Sequence, residues 1–111
     1  MKMELQNAYY NFILKGTKRI ELRLYDEKRK NIKLGDIITV TNAQPNEEFE
    51  VKVVGLLQYE TFDDLFCDFD IEVLADKSMT KEELKNELEK FYPIDKQKQY
   101  NVLGIRLELN I

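Results

Sequence analysis

From Ile20 to Leu24 apolar and charged residues alternate without a break, Ile20, Leu22 and Leu24 on one parity and Glu21 and Arg23 on the other. Arg19 extends the polar set by one step. Side chains on a strand alternate between its faces, so the pattern predicts a strand from about Lys18 to Leu24 with a core face and a polar face. Lys18 falls at the turn into it, where parity does not assign a side. The preceding segment runs at a different period. Leu5, Ala8, Tyr9, Phe12 and Ile13 recur at helical spacing and predict one apolar stripe on an amphipathic helix. Gly16 is suited to the left-handed position that ends such a helix.

Further along, Tyr25–Asn31 is too charged for a buried element and reads as a loop or short helical turn. Leu34-Gly35-Asp36 leads into a second strand, Ile37 to Thr41, closed by a turn over Asn42–Asn46. A third strand is expected from about Glu48 to Tyr59, with Phe49, Val51 and Val53 on one face and a bulge or bend at Val54-Gly55-Leu56. Thr61 is placed to cap a second helix, with Asp63 and Asp64 in its first turn and Phe62, Leu65, Phe66 and Phe69 as its buried stripe. The period of Ile71–Lys77 decides nothing. Thr80-Lys81-Glu82-Glu83 is a capping-box pattern opening a third helix with Leu84, Leu88 and Phe91, which Pro93 helps to stop. Lys96–Gln99 reads as a polar connection, and the last strand, about Asn101 to Leu109, alternates Leu103, Ile105, Leu107 and Leu109 against Gly104, Arg106 and Glu108. With no repeat or linker in view, the chain is expected to be one α+β domain over residues 1–111, with four or more strands and about three helices.

Composition narrows the chemistry. The 111 residues include 43% hydrophobic side chains, enough for one core, and no apolar run reaches bilayer length. The polar N-terminus lacks a signal-peptide core, so a cytoplasmic location and no membrane partner are expected. There is no histidine, which removes the commonest general base and metal ligand; a Ser/His/Asp or Cys/His triad is excluded, and neither a metal nor another cofactor is expected. The single cysteine, Cys67, cannot form an internal disulfide and is expected to pack among the aromatic residues of the second helix. The net charge of −4 is uneven. Lys15–Lys33 holds eight Lys/Arg against three Asp/Glu, a local +5, so the remainder carries −9. A basic segment in an acidic chain fits a local anion site, and equally a solvated basic loop.

Glu21 and Arg23 share a face at i, i+2, about 7 Å apart along a strand. With Lys15, Lys18 and Arg19 nearby in sequence, they can hold a phosphate or a polar base edge, or form a salt-bridge network on a wet face. A desolvated Lys or a Glu can also serve as base or nucleophile, which leaves Lys18 and Glu21 as catalytic candidates. Tyr25, Tyr59, Tyr92 and Tyr100 border expected turns, where an exposed ring can stack on a base. No glycine-rich phosphate loop is present, which argues against a nucleotide triphosphatase.

The run Phe12–Arg23, with its G-x-K-x-x-E-x-R pattern, resembles the ASCH family (the ASC-1 homology domain), a branch of the PUA-like superfamily. Ile32–Ile38, Tyr59–Leu65 and Tyr100–Ile105 fit the same likeness, which covers nearly the whole chain. It implies a small PUA-like β-barrel flanked by helices, a cleft lined by the first motif, and RNA binding. Some small bacterial members of that family are amidohydrolases acting on N4-acetylcytidine, with a proposed Lys, a Thr three residues later and a distant Glu. Lys18 falls on the Lys, but Glu21 stands at the Thr position, Thr17 lies on the wrong side of Lys18, and the distant Glu aligns near Asp76 or Lys77. The reading reached is an RNA- or nucleoside-binding module whose ligand residues are Lys15, Lys18, Glu21, Arg23, Tyr25 and Tyr100. An amidohydrolase for a modified nucleoside and a protein-interaction module are its alternatives.

Overall fold

Ten elements follow one another in the computed structural model, which describes residues 1–42 and 44–110. They are β1 (Lys2–Leu5), α1 (Asn7–Lys15), β2 (Ile20–Leu24), β3 (Ile37–Asn42), β4 (Glu47–Tyr59), α2 (Phe62–Phe66), α3 (Ile71–Leu74), α4 (Lys81–Phe91), α5 (Ile94–Tyr100) and β5 (Val102–Leu109). The strands form one mixed sheet in the order β1-β3-β4-β5-β2, parallel between β1 and β3 and antiparallel elsewhere. The sheet curls into a half-barrel, and of the five helices α1, α4 and α5 are the substantial ones. The expected turn over Asn42–Asn46 includes Ala43, which lies outside the described residues.

The sheet has a core on each side. Tyr10 and Ile13 of α1, with Ile32, cover Ile38, Val40, Val51, Val53, Ile105 and Leu107 on one side. Phe62, Leu65 and Phe66 of α2, with Leu74 and Leu84, cover Ile20, Leu22, Leu24 and Val102 on the other. The alternation of β2 is therefore realised: its three apolar residues are buried in the second core, and Glu21 and Arg23 point to the opposite side. Register confirms the assignment, since Glu21 pairs with Ile105 and Arg23 with Leu103, both residues of the first core.

The expected punctuation is also present. Gly16 ends α1 in the left-handed region at φ 92°, and the Thr61 hydroxyl accepts from the Asp64 N–H at 3.3 Å. Thr80 and Glu83 complete both halves of a capping box, at 3.1 and 3.0 Å. The β4–β5 register slips between Val53 and Gly55, at the bulge or bend expected around Val54-Gly55-Leu56.

Four expectations are corrected. Leu5 is not helical; it ends β1, a strand that pairs with β3 along Lys2–Leu5. Without it the α1 stripe rotates, so that Tyr10 and Ile13 are buried and Ala8 is exposed. Lys96–Gln99 is not a connection but the middle of α5, an almost wholly polar helix held by the buried Gln97. Its side chain accepts from the Phe62 N–H at 3.0 Å and donates to the Tyr92 carbonyl at 2.8 Å. Cys67 is exposed, because it follows α2 on the side away from Phe62, Leu65 and Phe66. Phe91, expected in the core stripe of its helix, is 60% exposed at the end of α4.

Candidate functional site

β1 and β2 are the two outer strands of the sheet, and they face each other across the seam where the half-barrel stays open. Both carry unpaired backbone along that seam, and something must satisfy or cover it. Arg23 does so in part. Its Nη2 donates to the Glu4 carbonyl on β1 at 3.0 Å, joining the two edges through a side chain where no backbone ladder exists. Beside this bridge lies a cavity of about 190 Å³. Glu4, Leu5 and Gln6 form one wall and Lys18, Glu21 and Arg23 the floor, while Tyr9 of α1 and Leu88, Phe91 and Tyr92 from the end of α4 complete the walls.

The floor is a chain of buried charges. The Lys18 side chain is 2% exposed and its ammonium meets three oxygens: the Ile20 carbonyl at 2.6 Å, the Leu74 carbonyl at 2.7 Å and Glu21 Oε1 at 3.4 Å. Of the three N–H donors of an ammonium, two are hydrogen-bonded to the carbonyls, and Glu21 lies at ion-pair distance. The Leu74 carbonyl is an orphan of the α3 C-terminus, and Lys18 thereby ties that helix to β2. Glu21 Oε2 takes Arg23 Nε at 2.9 Å and Nη2 at 2.8 Å.

Burial alone pushes the Glu21 carboxyl upward, but Lys18 and Arg23 outweigh it and hold the group below the usual carboxylate range. Burial likewise opposes the Arg23 charge, and Glu21 and then the Tyr92 phenol reverse that effect and raise its pKa. For Lys18 desolvation prevails over the attraction of Glu21, and its pKa is lowered. The Tyr9 phenol is raised, first by burial and then by Glu87 and Glu21. Lys18 Nζ stands 5.7 Å from the centre of the Tyr9 ring, within cation–π range.

Of the residues singled out in the sequence, Lys18, Glu21 and Arg23 meet in this cavity, and Tyr92 joins them. Lys15, Arg19, Tyr25, Tyr59 and Tyr100 do not line it. Lys15 reaches away from the seam to Asp76 Oδ1 at 3.2 Å. Tyr25 packs on the first core with Lys30 over its ring, and Tyr100 packs on the second core with Lys96 over its ring. The sequence reading missed Glu4, Tyr9, Glu87 and Phe91. Tyr9 and Phe91 sit at helical spacing like core residues, and no local pattern marks them as cavity walls. Among the described residues no group of His, Cys, Asp and Glu is placed to hold a metal, and no helix is long and apolar enough to cross a membrane.

Comparison with known proteins supplies the family. Residues 3–109 match the ASCH domain. A crystal structure of the hypothetical protein PH0355 is similar at a TM-score of 0.86, with 36% identity over 98% of this chain and 97% of that one. A solution structure of PF0455 from Pyrococcus furiosus is similar at 0.74, with 30% identity over 97% and 94% of the two chains. No curated protein matches. The family match includes the strand that supplies Lys18, Glu21 and Arg23 and both edges of the seam they occupy, and by that match this chain belongs to the ASCH domain family, a PUA-like module.

Proposed function

We propose that this domain binds a nucleoside or an unpaired RNA base in the seam cleft. The observation that carries the reading is a polar floor beneath aromatic walls. Glu21 and Arg23 set a carboxylate acceptor beside guanidinium donors, while Tyr9, Phe91 and Tyr92 offer ring surface above them. A nucleobase has a hydrogen-bonding edge and two flat faces, which is what such a cleft complements. Glu21 Oε1 retains a lone pair beside Lys18, and three of the five Arg23 N–H donors are committed to Glu21 and Glu4, so each side chain keeps capacity for a ligand. Lys18 serves here as a positioning residue that fixes Glu21.

The same contacts favour binding over hydrolysis of an acylated nucleoside. An amide needs an activated nucleophile, whereas the Lys18 side chain is enclosed, with its ammonium hydrogen-bonded to two backbone carbonyls and ion-paired with Glu21. The Thr17 hydroxyl donates to the Phe12 carbonyl at 3.2 Å and does not line the cleft.

Titration with the four common ribonucleosides, followed by tyrosine fluorescence, tests both points. Base stacking on an aromatic ring contributes about 1–3 kcal/mol. Phe91→Ala should weaken binding accordingly without lowering thermal stability, because that ring is mostly in solvent. Affinities unchanged in both Phe91→Ala and Glu21→Gln would overturn the reading. N4-acetylcytidine should bind without release of cytidine above background, and turnover abolished by Lys18→Ala would instead assign a hydrolase.

A further inference from the structure

A second cavity of about 260 Å³ lies on the other side of the Arg23 bridge, and Glu4 and Arg23 line both cavities. The two differ in charge. Three carboxylates and two cations line the first: Glu4, Glu21 and Glu87 against Lys18 and Arg23. The second has Lys2, Arg23, Lys28 and Arg29 against Glu4, over a floor of Met3 and Ile32. Asp26 balances Arg29, bonding it at 2.8 Å and shaping the turn that presents Lys28. Among the described residues neither Lys2 nor Lys28 has a carboxylate within ion-pair distance, so their charge is open to an incoming anion. These cations come from β1, β2 and the turn after β2, which brings the basic stretch of the sequence together with the N-terminal strand.

We infer that the second cavity holds a phosphate group borne by the same nucleotide or RNA strand whose base occupies the first cleft. The inference rests on the nucleoside reading of that cleft and extends it. A cleft lined by three carboxylates is unsuited to a phosphate, whereas clustered Lys and Arg provide the charge-assisted donors a phosphate takes. Arg23 stands in the wall between them, where its guanidinium reaches Glu21 on one side and the cationic chamber on the other. The two cavities thus divide recognition of one ligand, base edge and phosphate, across a single side chain.

Calorimetric titrations at low salt with adenosine, cytidine, guanosine and uridine, their 5′- and 3′-monophosphates, and inorganic phosphate test this. At least one monophosphate should bind about tenfold or more tightly than its parent nucleoside, and added salt should shrink that advantage. The Lys2→Ala/Lys28→Ala double variant should lose most of the phosphate advantage while its nucleoside affinity stays near that of the wild type. Lys28→Glu, a single change in an exposed turn, should lose it as well, with thermal unfolding confirming that both variants fold. Nucleosides that bind as tightly as their monophosphates would overturn the phosphate inference and leave the nucleoside reading standing. So would an advantage that survives in both variants, or inorganic phosphate binding as tightly as the monophosphates. Absence of binding by every nucleoside and monophosphate would overturn both.

Discussion

Lys18 sits where the chain leaves the Gly16 turn, one step before the strand parity begins, and its ammonium ends up enclosed. Replacing it with Met keeps the apolar stem but leaves the Ile20 and Leu74 carbonyls and one Glu21 oxygen without their donor. Breaking a buried pair by removing one partner costs about 3–5 kcal/mol, so chemical denaturation of Lys18→Met should show a loss in that range. A loss under about 1 kcal/mol would mean that the ammonium is not enclosed in solution. Asp76, 4% exposed, makes a separate clamp. The Ser78 hydroxyl and N–H, and then Lys15 and Thr17, hold its carboxyl well below the usual range against a smaller opposing effect of burial. A carboxyl depressed in the folded protein binds protons more tightly when unfolded. Its stabilisation is therefore complete above the ordinary aspartate value of about 4 and is lost as the pH falls toward the folded value. Asp76→Asn should flatten the acid side of the stability curve, which urea midpoints between about pH 5 and pH 2 would reveal; equal slopes in both proteins would refute it.

Gly104 in β5 shows how two elements constrain a third. It pairs with Leu22, and a methyl group on it would stand 3.0 Å from Leu65 Cδ1 and 3.1 Å from Ile20 Cγ2. The glycine lets α2 settle directly on the sheet. Gly104→Ala should cost about 1–3 kcal/mol by overpacking and leave the circular dichroism unchanged. A neutral or stabilising result would mean that α2 can shift outward without penalty. Caps, by contrast, are local, and Gly16, Thr61 and Thr80 could be read as helix boundaries directly. β1 could not: its four residues are too few for alternation to be distinguished from the helical spacing that follows. Nor could α5, since one buried glutamine holds it and its bonds run to Phe62 and Tyr92.

The seam governs the molecule as a whole. β1 is held along one edge by its parallel ladder with β3 and on the other side by the Arg23 bridge to Glu4. Arg23→Met removes that bridge and leaves Glu21 with Lys18 alone. Amide hydrogen exchange along Lys2–Leu5 should accelerate by about tenfold or more while β3, β4 and β5 stay protected, since local opening needs less free energy than global unfolding. Uniform acceleration across the sheet would show that the bridge supports the entire fold and not one edge.

What the amino-acid order specifies here is whatever depends on near neighbours. The two faces of β2, the caps, the bulge near Gly55 and the pairing of Glu21 with Arg23 all follow from residues a few positions apart. The cleft does not. Tyr9, Glu21 and Phe91 reach it from three elements, and Phe91 differs from a core residue only in where α4 ends relative to the seam. Likewise Lys2 and Lys28 are distant in sequence and meet because β1 and β2 become the two edges of one curled sheet. Hydrophobic period encodes which side of an element is buried, but not which elements come to face one another. That choice follows from the packing of two cores on a single sheet, and it gives the seam both its aromatic walls and its cations.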